Sequence, residues 1–578
     1  MKHKCFAAIL AACATGFVVP APASRAAVGT RAFASLEKNF RETAVLGEDA
    51  TTVRTPHYPR VKRLPDGGYF LLCQSGKFGG RILFATSPDG LSYTKPVAIF
   101  SDKPLKLPAE TGPGTVADTR RYMTADAVVL ANGDILVVAS FRAVKAYRRS
   151  LSENGIVIRR SSDKGRTWSP EQRIYTGTNW EPFALQLRSG EVQVYFTHSA
   201  PFIHLHGFGE GRRSSGAAML RSFDNGRTWT PDVTGPPYTA HRVMQQYIGD
   251  LDKKRLFTDQ MPVAVELING AIALACESRL LDEKYHISIA RSHDNWAAPL
   301  GIDEPGPADR QDNIFPGAAP YLNQFPTGET LLTYNARIDG GKIRFLARLG
   351  DENARDFGPP LVAFNVPGYW GAACIDSPRT ALLAFPKVIS ENAPKDASGE
   401  IHIARFHLNR DITAPNITAP PPSAAVAAAD NNTLFIGSDS QSQATLHFHA
   451  DATHLLIRAE HLDDFPTNDD AITLRLAIPG DKGRHKHITI KVTPSGLAPG
   501  APAGVTTTVL PSAQKNLRII EIKIPRAQLA GAEAGLRIYP ILHNRDTPGS
   551  KITHDTLTGA DPANPSTWPA IRFAHAPF

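Results

Sequence analysis

Along the first two thirds of the chain, short apolar runs alternate with polar turns that carry glycine. A hydrophobe, a polar–Gly pair and a strand-like run recur as Leu64-Pro65-Asp66-Gly67 before Tyr69 to Cys73, Asn132-Gly133 before Ile135 to Ala139, and Ser189-Gly190 before Val192 to Phe196. Asn269-Gly270 before Ala271 to Cys276 and Thr327-Gly328 before Thr330 to Tyr334 continue the series. Apolar runs this short, joined by Gly turns, predict antiparallel hairpins rather than helices. The turn glycines recur every 57 to 80 residues, enough for one four-stranded sheet with long loops. That period predicts a ring of repeated sheets, a β-propeller.

A second series interleaves with the first. Ser161-Ser162-Asp163-Lys164-Gly165-Arg166-Thr167-Trp168 recurs as Ser222-Phe223-Asp224-Asn225-Gly226-Arg227-Thr228-Trp229, and both copies fit S-x-D-x-G-x-T-W. Asp bonds forward to its own backbone and Gly takes a positive φ, so each copy predicts a hairpin tip, with Trp as a packing anchor. Degenerate copies stand at Ser87-Pro88-Asp89-Gly90 with Tyr93 and at Ser292-His293-Asp294-Asn295-Trp296. The motif resembles the Asp-box of the sialidase superfamily of β-propellers. That resemblance implies boxes on outer-strand hairpins and a ligand face at the opposite end. Ala381 to Val388 and His402 to Phe406 supply a further unit, which the N-terminal strand would close. The expectation is an all-β chain with a six-bladed, sialidase-like propeller over residues 30–408; five blades is the alternative.

Residues 409–432 are rich in Pro and Ala and predict a semi-rigid linker. Beyond them, alternating runs at Ala444 to His449, Leu455 to Ala459, Ile472 to Leu476, His487 to Val492, Leu517 to Ile524 and Leu536 to Ile541 predict a β-sandwich over residues 433–578. The strand pattern around Asp469-Asp470-Ala471-Ile472-Thr473-Leu474 is similar to carbohydrate-binding module family 9. Trp568 is the one tryptophan available there for stacking on a sugar, and a purely structural cap is an equal reading.

The N-terminus changes the picture of location. Two lysines within Met1 to Lys4, an apolar run from Cys5 to Val19 and Ala21-Pro22-Ala23 predict a signal peptide over residues 1–23. A secreted or periplasmic protein is expected, with lipid anchoring through Cys13 as the alternative. No other stretch is long and apolar enough to span a bilayer. Cys73, Cys276 and Cys374 lie inside apolar runs and predict buried free thiols rather than a disulfide scaffold. The formal charge of +8 is spread over 578 residues without a basic tract, which argues against nucleic-acid binding. Neither a metal nor a cofactor is expected, and a monomer is. His198, His204 and His206 cluster in one loop but read as a binding-site wall.

Chemistry is expected where acidic residues meet aromatic ones at inner-strand ends. Trp180-Glu181-Pro182-Phe183 lies between a box and the next Gly hairpin, and an aromatic frame raises a carboxyl pKa toward proton donation. The bland reading is a loop Glu before a turn Pro. Glu277 follows the strand Ala271 to Cys276, with Arg279 delivered to the same side; its bland reading is a structural ion pair. Tyr334 occupies the same place in the next unit. Two carboxylates and a tyrosine on one face meet the needs of glycoside hydrolysis. Trp180-Glu181-Pro182, the run from Met261-Pro262 to Glu277, and Tyr334 resemble the exo-arabinanases of glycoside hydrolase family 93. The resemblance implies Glu181 as acid/base, Glu277 as nucleophile, Tyr334 as its partner, and retention of configuration on a polysaccharide or glycan. Trp180, Arg60, Asp126, Arg279, Asp312 and Arg337 are the expected substrate contacts.

A true sialidase is the alternative. Arg60 matches the position of that family's first carboxylate-binding arginine, with Arg279 second and Arg337 or Arg344 third. Its catalytic Asp is missing, however, since Tyr69 to Ser87 contains no acidic residue. Arg60 would then orient an uncharged sugar or a uronic acid. A noncatalytic carbohydrate-binding propeller is the second alternative.

Overall fold

The five Gly hairpins fold alike in a computed structural model of the chain. It describes residues 32–574 except 110–112, 148–149, 200–215, 232–239, 245–258, 280–283, 301–305, 339–340, 390–397, 418–430, 438–440, 481–483 and 533–534. The leader expected over residues 1–23, Cys13, His204 and His206 lie outside the described residues. In each hairpin the turn glycine has a φ of 89° to 107° and donates its N–H to the carbonyl of a buried hydrophobe three residues earlier, Leu64, Leu130, Leu187, Leu267 or Phe325. The polar residues face water and the hydrophobe pins the turn to the core.

These hairpins join the first two strands of five antiparallel sheets, and a sixth sheet completes the set. Sheet I contains Pro56–Arg63, Tyr69–Ser75, Ile82–Ser87 and Val97–Phe100. Sheet II contains Thr115–Val129, Ile135–Ala143, Asn154–Ser161 and Gln172–Thr176, with Lys103–Pro108 on the free edge of its long first strand. Sheet III runs Asn179–Gln186, Val192–His198, Ala217–Ser222 and His241–Met244, and sheet IV runs Gln260–Glu266, Ile272–Ser278, His286–Ser292 and Arg310–Pro316. Sheet V runs Ala318–Gln324, Thr330–Arg337, Ile343–Gly350 and Leu361–Phe364. Sheet VI takes Ala372–Ser377, Thr380–Lys387 and Glu400–Arg410, then the N-terminal strand Ala34–Leu46 at its outer edge. Each first strand packs against the first strands of the sheets before and after it, and that of sheet VI returns to that of sheet I. Hydrophobic clusters fill the spaces between adjacent sheets. Cys73, Cys276 and Cys374 are buried free thiols within them.

The four motifs that resemble Asp-boxes join the third and fourth strands of sheets I to IV. Ser161 Oγ donates to Asp163 Oδ1 at 2.8 Å and accepts from Gly165 N at 2.7 Å, and Ser222 repeats this with Asp224 and Gly226. In the fourth copy Trp296 N takes the glycine's place on Ser292 Oγ. Each box also fastens its sheet to the preceding one: Trp168 meets Phe84 edge-on at 5.1 Å. Antiparallel meander connectivity puts the first-to-second and third-to-fourth turns at one end of the ring. Strand entries and second-to-third loops therefore lie at the other end, where Glu181 and Glu277 are found.

Residues beyond the sixth sheet form two facing sheets over a common core. One contains Thr433–Ile436, Ser442–Ala450, His454–Asp463, Leu517–Pro525 and Thr506–Leu510. The other is built on Ala471–Pro479, His485–Thr493 and Leu536–Asn544. The expected linker is partly strand: Ile412–Ala414 pairs in parallel with Ala570–Phe573, burying Ile412 and Ala414. Three residues are too short a run to show against a Pro- and Ala-rich background. Trp568 is also not a surface platform; it is fully buried against Ala477 and Tyr539, its indole N–H on the Asp561 carbonyl. Glu37 of the N-terminal strand is buried where this region meets sheet VI and accepts from Thr558 N at 2.6 Å. No helix among the described residues is long and apolar enough to cross a membrane.

Candidate active site

The first strands of sheets I to V each break register, between His57 and Arg60, Met123 and Asp126, Trp180 and Phe183, Gln260 and Val263, and Ala318 and Tyr321, near the strand start in all but the long strand of sheet II. Inside each break sits a non-glycine residue in the left-handed region: Tyr58, Thr124, Glu181, Met261 and Ala319, with φ of 47° to 55°. Trp370, at φ 67°, lies two residues before the first strand of sheet VI. Such bulges re-aim a side chain at a cost of about 1–3 kcal/mol each. Here Tyr58, Met261, Ala319 and Trp370 pack on one another. Glu181 occupies the equivalent position in sheet III, which turns a carboxyl toward the middle of the ring.

Glu277 arrives by a different route, at the end of the second strand of sheet IV, opposite Gln260. It shares with Glu181 a cavity of about 710 Å³ lined also by Trp180, Met261, Tyr285, Asn335, Arg337, Tyr369 and Trp370. Thr197 Oγ1 donates to Glu181 Oε2 at 3.1 Å and accepts from Met261 N at 3.0 Å, which fixes the carboxyl. Ala319 N, from the bulge of sheet V, donates to Glu277 Oε2 at 2.7 Å.

The two carboxyls titrate differently. Burial and then the charge of Glu277 push Glu181 up to about 8, against the pull of the Thr197 hydroxyl, Arg142 and Arg60. Burial lifts Glu277 to about 7, opposed by the Ala319 N–H and by Arg279. Both carboxyls are thus held above the ordinary carboxylate range by burial, and a charge on Glu277 favours a proton on Glu181. One acid and one carboxylate then face a single cavity with aromatic walls.

No family model matches the chain, and no curated protein matches its sequence. Its structure is similar to that of a protein of unknown function from Dyadobacter fermentans, at 15% identity over 65% of this chain and 100% of that one, with a TM-score of 0.46. It is similar also to an α-L-arabinofuranosidase from Podospora anserina in complex with cellotriose, at 12% identity over 50% and 90% of the two chains and a TM-score of 0.30. A polysaccharide lyase described as an ulvan lyase shows 12% identity over 74% and 92%, with a TM-score of 0.34. At these similarities the chemistry rests on the cavity.

Of the residues expected there, Glu181, Glu277, Trp180 and Arg337 line the cavity, and Arg279 sits over the Tyr285 ring at 5.2 Å and acts on Glu277. Tyr334 is a correction: it is buried, stacks on Phe315 at 5.9 Å and accepts a hydrogen bond from Arg348 Nε at 2.8 Å. Strand alternation points it into the core, while its neighbour Asn335 lines the cavity. Tyr285 is the tyrosine beside Glu277, and its hydroxyl donates to Gln260 Oε1 at 3.3 Å.

Arg60 and Asp126 are corrections too, being buried and outside the cavity lining. Arg60 lies 3.7 Å from the Tyr58 ring centroid and donates to the Pro59 and Trp370 carbonyls. Asp126 accepts from Lys62 Nζ at 2.8 Å and Tyr321 OH at 3.2 Å, which spends its carboxylate on the fold. Asp312 pairs with Arg310 on the outermost strand of sheet IV, away from the lining. Of the arginines in the sialidase alternative, Arg279 and Arg337 stand at the cavity, Arg337 donating to the Gly341 carbonyl, whereas Arg60 is buried and Arg344 donates to Asn365. His198 is buried against Tyr175 and Phe196. Tyr285, Asn335 and Trp370 join the cavity without having been expected there, and Met261 was expected only as part of the run from Met261-Pro262 to Glu277. Trp370 had a signal, an aromatic ahead of a strand-like run; bulge positions have none.

Proposed function

We propose that this chain is an exported glycoside hydrolase of six-bladed, sialidase-like propeller fold, cutting terminal sugars from a glycan with retention of configuration. The observation that carries the reading is the pair Glu181 and Glu277, two carboxyls of unequal pKa in one aromatic-walled cavity. Glu181, protonated at neutral pH, donates to the leaving glycosidic oxygen. Glu277, ionised and oriented by the Ala319 N–H, attacks the anomeric carbon; Glu181 then deprotonates the water that releases the sugar. Trp180, Tyr285 and Trp370 offer flat faces for the ring.

Met261 and Trp370 bring a packed apolar cluster with Tyr58 and Ala319 to the cavity wall, and action at a chain end is part of the proposal. The motif resemblance makes arabinan the first substrate to test. Purified protein should release monosaccharide from one member of a panel of arabinan, sialosides, uronide-capped glycans and aryl glycosides. A Glu277→Ala variant should lose hydrolysis and keep glycan binding. A wild type inert on the whole panel would leave only the noncatalytic binding reading.

A further inference from the structure

Arg142 is the penultimate residue of the second strand of sheet II, as Glu277 is in sheet IV, which puts both at the same end of the ring. Its guanidinium lies 4.2 Å from the Trp180 ring centroid and 4.9 Å from that of Tyr147. Trp180 is itself a wall of the cavity and the neighbour of Glu181. A guanidinium stacked on an aromatic face keeps its N–H edges directed in plane, the geometry that grips a carboxylate or sulfate through two parallel hydrogen bonds.

Among the described residues none of those donors has an acceptor, and no carboxylate pairs with Arg142. Its sheet neighbours differ: Arg120 pairs with Glu153 at 2.5 Å and Arg121 with Asp102 at 3.5 Å. Arg121 also stands directly opposite Arg142 in the ladder, so two like charges face each other. Burial and Arg121 push the Arg142 guanidinium down from its ordinary value, opposed by Tyr147 and Glu181. A desolvated cation beside a like charge is an arrangement that an incoming anion relieves.

We propose that Arg142 is a specificity-determining residue that receives an anionic substituent, a carboxylate or sulfate ester, of a glycan bound over Trp180 and Glu181. The identity of the ligand as a glycan rests on the proposed hydrolase reading; the anion site does not. It is separate from the arginines Arg60, Arg279 and Arg337 considered for a sialidase.

Calorimetry with the full chain at low salt tests this with three probes: an oligogalacturonate with its methyl ester as matched neutral control, a sulfated carrageenan oligosaccharide, and a neutral arabino-oligosaccharide. At least one acidic probe should bind about tenfold or more tighter than its neutral counterpart. Arg142→Gln should abolish that preference by weakening acidic probes far more than neutral ones, while Arg142→Lys should keep part of it. The uronate and sulfate arms identify the anion. An acid preference that persists in Arg142→Gln, or no binding of any acidic probe, overturns the proposal. So does an Arg142→Gln variant that only shifts the basic limb of the pH profile equally on neutral and acidic substrates, since Arg142 would then act on Glu181 alone. If the preference is lost as expected but nothing is hydrolysed, the hydrolase reading fails and the anion site stands.

Discussion

Glu277 holds up the pKa of Glu181: the charge that appears on Glu277 at about 7 helps keep the Glu181 proton in place to about 8. Hydrolysis needs Glu277 ionised and Glu181 protonated, so kcat/KM should rise through pH 7, fall above pH 8 and peak between. Glu277→Gln removes the like charge and should lower the Glu181 pKa. Carboxyl titration of this variant by isotope-edited infrared spectroscopy would show it, and an unmoved Glu181 would disconnect the pair.

The same carboxyls cost stability in base. Glu181 folds with its pKa raised from 4.5 to about 8, so the folded chain holds a proton that the unfolded chain releases. Stability from this group is complete below about 4.5 and is lost as pH rises toward 8. Glu181→Gln should therefore melt a few degrees above wild type at pH 9 and match it near pH 4. Its activity should drop roughly 10²- to 10⁴-fold, the usual worth of a positioned acid.

Glu37 obeys the same sign at a different place. Buried between the N-terminal strand and Thr558, it is raised to about 8, chiefly by desolvation. Glu37→Gln keeps an acceptor for the Thr558 N–H and should blunt the alkaline loss of stability with unchanged kcat, measured by melting curves between pH 5 and 9.

Two tyrosines separate the expected from the observed site. Tyr334→Phe loses only a bond to Arg348 outside the cavity and should change kcat/KM less than threefold, allowing about 1 kcal/mol of stability for the bond. Tyr285→Phe alters a cavity wall and removes the hydroxyl bonded to Gln260, and should lower kcat/KM more than Tyr334→Phe does. The reverse ranking would restore Tyr334 to the site.

Box glycines and hairpin glycines should differ. Gly165 has φ 87°, and a Cβ there would stand 2.2 Å from Phe84 Cε1, whereas at Gly133, with φ 89°, nothing lies within 4 Å. Gly133→Ala should cost about 1–2 kcal/mol from backbone strain alone. Gly165→Ala adds displacement of Phe84 and should cost clearly more, read from paired thermal melts.

Much of this was legible in the residues themselves. Turn glycines such as Gly133 and box serines such as Ser161 mark where strands meet, because positive φ and short side-chain hydrogen bonds are chemical needs of those turns. Glu181 stood out by its aromatic frame. Tyr334 misled because strand-end position does not reveal which face a side chain takes, and the parity of Tyr334 against Asn335 is fixed only by packing with Phe315 and Arg348. Arg60 and Asp126 were recognisable as unusual, but their mutual burial under Tyr58 depends on strands from different sheets. The bulges at Tyr58, Met261 and Ala319 use residues with no preference for left-handed backbone, so no local signal announces them.

In the proposed mechanism Glu277 attacks and Glu181 protonates. Azide added to alanine variants turning over an activated aryl glycoside tests it most directly, with the anomeric configuration of the glycosyl azide read by NMR. Glu277→Ala should give azide of inverted configuration, because azide replaces the missing nucleophile, and Glu181→Ala should give retained configuration, because azide intercepts the enzyme-bound sugar. Wild-type hydrolysis by either variant, with no azide product from either, would contradict the account.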